Sequence, residues 1–381
     1  MIASAVRAWR FYAFNDMRLD ELPDPECGPD DVILSVRVVQ PSVTEAILAT
    51  GRETLGIELV REKLRHPPVA LFGHEYCADV VEVGVNVKSV RPGERVSDIS
   101  VLPCLTCALC RDGRQEDCRR GPMTGWDLPG CLAEYAVMPE HGLVSVPEGI
   151  SDYETAALQP AADCVAGVES ARIEPGDVVV VLGQGTMGLH SLQLARHGLA
   201  ERVIAVDVRP EPLALASDLG ADACVDASTT DPIEAVAELT DGRGADVVIE
   251  CSGGPQEQGL GGSGSIEQAF RMTRDSGRVV VNSLIPGQVP LAINEWRIRS
   301  VSLIFPALGA ARHMRLAANM AVQGRLKIDP LISHVVRGLD QAPKAFEITA
   351  DKRRFGATGP CQIVVDTERV PPHSRLETGD R

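Results

Sequence analysis

The chain has 381 residues, 44% of them hydrophobic and 24% charged, with a formal net charge of −16. That length exceeds what one ordinary core serves, so two domains are expected. The negative balance disfavours a purely electrostatic binder of nucleic acid or anionic membrane. No apolar run is long enough to span a bilayer. The opening "MIASAVRAWRFYAFND" lacks an apolar core followed by a small-residue cleavage site, so a cytoplasmic protein is expected.

Residues 1–150 read as strands and turns, in "DDVILSVRVV", "CADVVEVG", "RPGERVSDISV" and "CLAEYAVMPEHGLVSVPEGI", each bounded by Gly or Pro. The first of these strands exits into "VQPSVTEAILATG" (39–51), where Ser42, Thr44 and Glu45 could build a site. "ETLGIELVREKLRH" (53–66) interrupts the strands with apolar residues at helical spacing and predicts a surface helix.

Four of the eleven cysteines crowd into "CLTCALCRDGRQEDC" as Cys104, Cys107, Cys110 and Cys118. Without an export signal, a disulfide framework is disfavoured. Four thiolates in so short a loop can close a tetrahedral shell around zinc with no open position. A four-cysteine iron–sulfur cluster is the main competitor. Zinc is the favoured occupant, and a closed shell would shape a lobe without doing chemistry.

From about residue 170 the grammar changes. "DVVVVLGQGTMGLHSLQLARHG", "RVIAVDV", "PLALASDLGAD", "ADVVIECSG" and "GRVVVNSL" alternate apolar strands with amphipathic helices. Fully apolar strands such as 178–182 imply a parallel sheet covered on both faces. Gly183, Gly185 and Gly188 form G-x-G-x-x-G between a strand and a helix, with Thr186 and Met187 in the loop. The first glycine permits a tight turn, the second admits a pyrophosphate and the third lets helix and strand pack closely. Asp207 ends the next strand, where an acid binds both hydroxyls of an adenosine ribose and repels a 2′-phosphate. NAD is therefore expected over NADP, with Arg209 nearby as the contrary signal. Cys251 and Ser252, closing "ADVVIECSG", are expected beside the coenzyme. The thiols of Cys77, Cys131, Cys164, Cys251 and Cys361 read as ordinary buried groups. "GGPQEQGLGGSGS" (253–265) reads as a flexible loop, and "TERVPPHSRLETGDR" (367–381) as a disordered tail.

The fingerprint, the four-cysteine lobe, "FGHEYCADVVEVGVNVKSVRPGERV" and "LKIDPLISHVVRGLDQAPKAFE" together resemble the zinc-containing medium-chain alcohol dehydrogenases, nearest their polyol, sugar and threonine dehydrogenases. The resemblance implies an α/β fold: a GroES-like β-rich catalytic domain (1–165), a doubly wound parallel-sheet Rossmann domain (166–304) and a C-terminal return to the catalytic domain (305–381). It also implies an active site in the cleft between the domains, a homodimer or homotetramer, and a catalytic zinc that polarises the substrate oxygen during hydride transfer.

The family's strand-end pattern, "ICGTDLH", reads here "PSVTEAI". Ser42 stands where the first zinc-binding cysteine belongs, Thr44 keeps the relay hydroxyl, Glu45 replaces an aspartate and Ile47 replaces the relay histidine. The "GHE" motif survives and gives His74 as the imidazole ligand with Glu75 beside it. The third ligand position falls on Gln159, and Asp163 is a nearby carboxylate. Glu45 and Asp163 are equally readable as solvated surface acids. Neutral oxygens replace two anionic ligands, so weak zinc binding or none is expected. The extra helix of 53–66 is expected to reshape the substrate pocket. Ser42, Thr44, His74 and Glu75 would then surround the reacting oxygen of a secondary alcohol in a polyol, sugar or related hydroxylated metabolite. The alternatives are a zinc-independent enone or activated-ketone reductase and a non-catalytic NAD-binding sensor.

Overall fold

The computed structural model describes residues 5–99, 101–118, 120–253, 264–285 and 287–376. It divides into two compact units. One comprises Met1–Gln159, Ala310–Val322 and Ile332–Arg381, and the other Pro160–Gly309 and Gln323–Leu331.

The first unit opens with the hairpin β1 (Val6–Ala13) and β2 (Asp16–Leu22), followed by β3 (Asp31–Gln40), which is buried along most of its length. The chain continues through α1 (Val43–Ala49), α2 (Ile57–Lys63), β4 (Glu75–Val83), β5 (Arg95–Asp98), α3 (Ala108–Arg111), β6 (Tyr135–Pro139), β7 (Leu143–Ser145) and α4 (Asp152–Ala156). Helix α5 (Leu158–Ala171) crosses the division, so the expected boundary at 165 falls inside a helix. The second unit alternates β8 (Val178–Leu182), α6 (Thr186–His197), β9 (Arg202–Asp207), α7 (Pro210–Asp218), β10 (Ala223–Asp226), α8 (Pro232–Leu239), β11 (Ala245–Glu250), α9 (Gly264–Met272), β12 (Thr273–Val281), α10 (Ile293–Ile298) and β13 (Ser302–Ile304). Helix α11 (Ala311–Val322), β14 (His334–Arg337), α12 (Ala342–Ala350) and β15 (Cys361–Val364) return to the first unit.

In the second unit the parallel sheet runs β10-β9-β8-β11-β12-β13. Strand order reverses between β8 and β11, which makes their carboxyl ends the switch point where open α/β sheets bind ligands. Alternation explains the apolar strands. Val180, Leu182 and Val248 enter one core, while Val179, Val181 and Val247 enter the core on the opposite face.

In the first unit a seven-stranded sheet has the order β14-β15-β3-β4-β5-β7, with β6 also pairing with β3. The β3–β4 register places Val39 opposite Tyr76 and Gln40 opposite Glu75. The predicted helix of 53–66 is shorter than expected, because only 57–63 is helical, and it seals Ile57 and Val60 into the core.

The C-terminal expectation is corrected over 367–376, which is packed. Val370 joins a cluster with Val38 and Cys77. His373 meets Tyr153 edge-on at 4.7 Å. The Tyr153 hydroxyl donates to Pro371 O (2.8 Å), and the Arg337 guanidinium donates to Thr367 O and Val370 O. These anchors are sparse along a polar segment, which is why composition alone conceals them. Of the expected loop 253–265, residues 254–263 lie outside the described residues, and α9 already begins at Gly264. Among the described residues no helix is long and apolar enough to cross a membrane.

Candidate functional site

The strand exit at residue 40 leads straight into α1, and Ser42 is its N-cap. The Ser42 hydroxyl accepts from Glu45 N (3.2 Å), and the Glu45 carboxylate accepts from Ser42 N (3.0 Å), a reciprocal capping box. The side chain in the position of a metal-binding cysteine is therefore committed to the helix end. Thr44 lies half-buried in the first turn, and its hydroxyl makes no hydrogen bond among the described residues.

Glu45 is fully buried, which sets aside the solvated alternative its sequence position left open. Its Oε1 accepts from Gly73 N (2.8 Å) and lies 2.6 Å from His74 Nδ1. Three contacts thus fix the carboxylate, and the carboxylate fixes the imidazole, leaving Nε2 on the outer edge of the ring, 3.8 Å from Glu75 Oε1. On the other side of Glu75, Oε2 accepts from Gln40 Nε2 (2.5 Å). Gln40 Oε1 in turn accepts from Gln362 Nε2 (2.9 Å) on β15. Phe72, two residues before His74, is buried at φ +66, a conformation that costs a bulky residue free energy. It is held there by Phe72 N donating to Gly125 O (2.6 Å) and by edge-on packing of its ring against Phe11.

Burial opposes charge on His74, but the Glu45 carboxylate overrides it by charge and hydrogen bond, with Glu75 and Asp98 adding, and lifts its pKa to about 9. The pair thus favours the charged form of the imidazole. Asp98 went unnoticed in the sequence. Burial raises its pKa to about 7, against the Thr124 hydroxyl bond (2.6 Å) and the His74 charge. Gln159 is buried at the start of α5, and the Asp163 carboxylate accepts from Gly309 N (2.5 Å).

The four predicted cysteines do converge. Their sulfurs lie within 4.8 Å of one another, with Cys104–Cys110 at 4.0 Å and Cys107–Cys118 at 3.9 Å. A tetrahedron with Zn–S bonds of about 2.3 Å has edges of roughly 3.8 Å, so the set fits one zinc. Cys104 N and Cys107 N donate to Cys118 Sγ and Cys104 Sγ, both at 3.3 Å, the outer support a thiolate shell requires. Among the described residues this is the one such group of His, Cys, Asp or Glu ligand atoms. Around His74, Glu45 holds Nδ1, the kind of outer support a metal-bound imidazole also has, so Nε2 remains as one donor, while Ser42 offers a neutral oxygen already used as a cap.

In the second unit the fingerprint forms a phosphate cradle. Gly183 has φ +89, and a Cβ on Gly188 would stand 1.8 Å from Gly183 O. Gly185 caps α6, whose first N–H groups have no partner within the helix. The Thr186 hydroxyl and Gln184 Oε1 are buried without a hydrogen-bond partner among the described residues. Met187 follows Thr186 in the first turn, and its carbonyl accepts from the Cys164 thiol (3.2 Å). Asp207 ends β9. Its Oδ2 accepts from Gln184 N (2.6 Å) and its Oδ1 from Arg209 N (2.9 Å). The Arg209 guanidinium is 3.6 Å from Glu211. Beyond β11, the Cys251 thiol faces Ser191 Oγ (3.7 Å), and Ser252 N and Oγ both donate to Glu250 (2.8 and 2.6 Å). This arrangement fits a dinucleotide laid across the switch point.

Comparison with known proteins agrees. The family model "Alcohol dehydrogenase GroES-like domain" matches residues 28–148, and "Zinc-binding dehydrogenase" matches 186–321. The L-threonine 3-dehydrogenase of Bacillus licheniformis is 30% identical over 335 residues, 86% of this chain and 90% of that one. That of Pyrococcus horikoshii is 29% identical over 345 residues, 90% of this chain and 93% of its own. A Sinorhizobium meliloti 1021 protein assigned as a zinc-binding dehydrogenase, solved with NADP, aligns with a TM-score of 0.81 and 29% identity, covering 95% of this chain and 99% of that one. The chain belongs to the zinc-type medium-chain alcohol dehydrogenases, a family of NAD(P)-dependent oxidoreductases acting on CH–OH groups.

Proposed function

We propose that the protein is an NAD-dependent dehydrogenase of a secondary alcohol in a polyol, sugar or related hydroxylated metabolite, working without a tightly bound catalytic zinc. The observation that carries this reading is the His74–Glu45 pair. An imidazolium anchored at Nδ1 leaves its Nε2–H as a fixed, charged donor for a substrate oxygen. Such a donor stabilises an alkoxide, or polarises a ketone in the reverse direction, by preorganised charge. Thr44, next to Glu45 on α1 and with a hydroxyl that has no hydrogen bond among the described residues, relays the substrate proton, and Glu75 braces the imidazole edge. Ser42 serves this site by capping the helix that carries Thr44 and Glu45.

The bound nicotinamide supplies hydride acceptance and donation at its ring carbon. The preference for NAD rests on the Asp207 carboxylate, pinned by two backbone N–H groups where a 2′-phosphate would meet like charge. The relatives named L-threonine 3-dehydrogenase make β-hydroxy amino acids a class to test beside polyols. Assembly as a homodimer or homotetramer is part of the same proposal.

The test combines metal analysis with turnover. Purified protein is expected to hold one zinc per chain, and to reduce NAD with at least one secondary alcohol from a panel of polyols, sugars and β-hydroxy amino acids. Two zinc ions per chain, the second lost together with activity on chelation, would overturn the zinc-free reading.

A further inference from the structure

Glu250 is the last residue of β11, flanked by Leu182 of β8 and Val281 of β12 at the carboxyl edge of the parallel sheet. It is fully buried. Its carboxylate accepts from Ser252 N, Ser252 Oγ and Ser283 Oγ. Among the described residues it has no ion-pair partner, and a buried carboxylate without a cation is rare. The three donors hold its position and leave its charge uncompensated.

The sheet order says what lies above it. Asp207 on β9 marks the adenosine side, and the Gly183–Gly188 turn after β8 takes the pyrophosphate. A dinucleotide spanning the switch point must continue over β11 and β12, so the nicotinamide half lies over the edge that Glu250 ends. The two loops are in close register, since a Cβ on Gly183 would stand 2.9 Å from Ser252 Cα.

We propose that Glu250 is a fixed counter-charge for the oxidised nicotinamide ring, so that this protein holds the oxidised coenzyme more tightly than an uncharged site would. The oxidised ring carries one positive charge. It loses that charge when it takes a hydride, two electrons and one proton, from the substrate C–H bond, while the alcohol O–H proton leaves separately. A buried anion near the ring therefore favours the state before hydride arrives and lowers the potential of the bound couple. Glu250 acts through the field at the ring and is a positioning residue.

The inference rests on the dinucleotide reading of the second unit and is tested by binding to the full chain, measured by calorimetry for the oxidised coenzyme and by fluorescence for the reduced one. Glu250→Gln is expected to weaken the oxidised form about tenfold relative to the reduced form, raising the potential of the bound couple by about 30 mV. Glu250→Asp and Ser283→Ala, which keep the charge, should retain the native ratio. On the unaltered chain, an oxidised-coenzyme analogue with a neutral benzamide ring should bind less tightly than NAD by a similar factor. Equal weakening of both redox forms in Glu250→Gln, or an analogue binding as tightly as NAD, overturns the proposal. Failure of the native chain to bind either redox form would overturn the coenzyme reading itself.

Discussion

Among the buried histidines, His74 of the first unit and His190 of the second are opposites. In the first unit His74 sits against the Glu45 carboxylate, and its pKa rises to about 9. In the second unit His190, on α6 beside the fingerprint, is equally buried with neither ring nitrogen hydrogen-bonded among the described residues, and burial lowers its pKa to about 4. Burial alone expels the charge, and burial beside a fixed carboxylate retains it. What separates a group able to act on a substrate from one that only fills space is the partner. The signs follow by linkage. The contribution of His74 is present below its unfolded pKa of 6.5 and is lost as pH rises through about 9. His190 costs the fold stability as pH falls from 6.5 through about 4.

The largest expected effect comes from removing the partner. Glu45→Ala leaves a buried imidazole, Gly73 N and Ser42 N without their acceptor. Breaking a buried pair from one side costs about 3–5 kcal/mol, readable in urea unfolding. Glu45→Gln, the gentler change, should bring the His74 ring titration seen by NMR down from about 9 to below its ordinary value. A ring still titrating near 9 would show that Glu45 is not the cause. Next comes His190→Leu. A fall from 6.5 to about 4 corresponds to about 3 kcal/mol of acid-side destabilisation in the second unit. The substitution should flatten that limb, measured by amide exchange across β8–β11 between pH 6.5 and 4. A variant as acid-sensitive as the native chain would assign the limb elsewhere. Ser42→Ala should have the smallest effect, a loss of about 1 kcal/mol from an N-cap, recovered by Ser42→Thr. A loss several times larger would mean that the hydroxyl holds more than the helix end.

Features made of neighbouring residues were legible in the sequence. The glycine fingerprint and the four cysteines lie within single short segments, so their spacing carries their chemistry. The His74–Glu45 pair joins residues 29 apart through a loop whose path no local pattern reveals. A signal for half of it was nonetheless present, since Ser42-Val43-Thr44-Glu45 has the S-x-x-E form of a capping box. The metal-binding pattern speaks to what Ser42 lacks and is silent on what it caps. Glu250 and Asp98 escaped notice for another reason. An acid at a strand end reads as exposed, and only the covering of the sheet edge buries it.

The packed segment 366–376 has a practical consequence. Arg369 bridges Asp366 and Asp79, and Val370 and His373 lie over Tyr153, so the chain's closing stretch works as a buckle on the β3–β4 side of the first unit. A variant ending at Val365 would lose the apolar cover that Val370 gives Val38, Cys77 and Val364. The segment is thus part of the first unit's packing, and removing it is expected to cost stability.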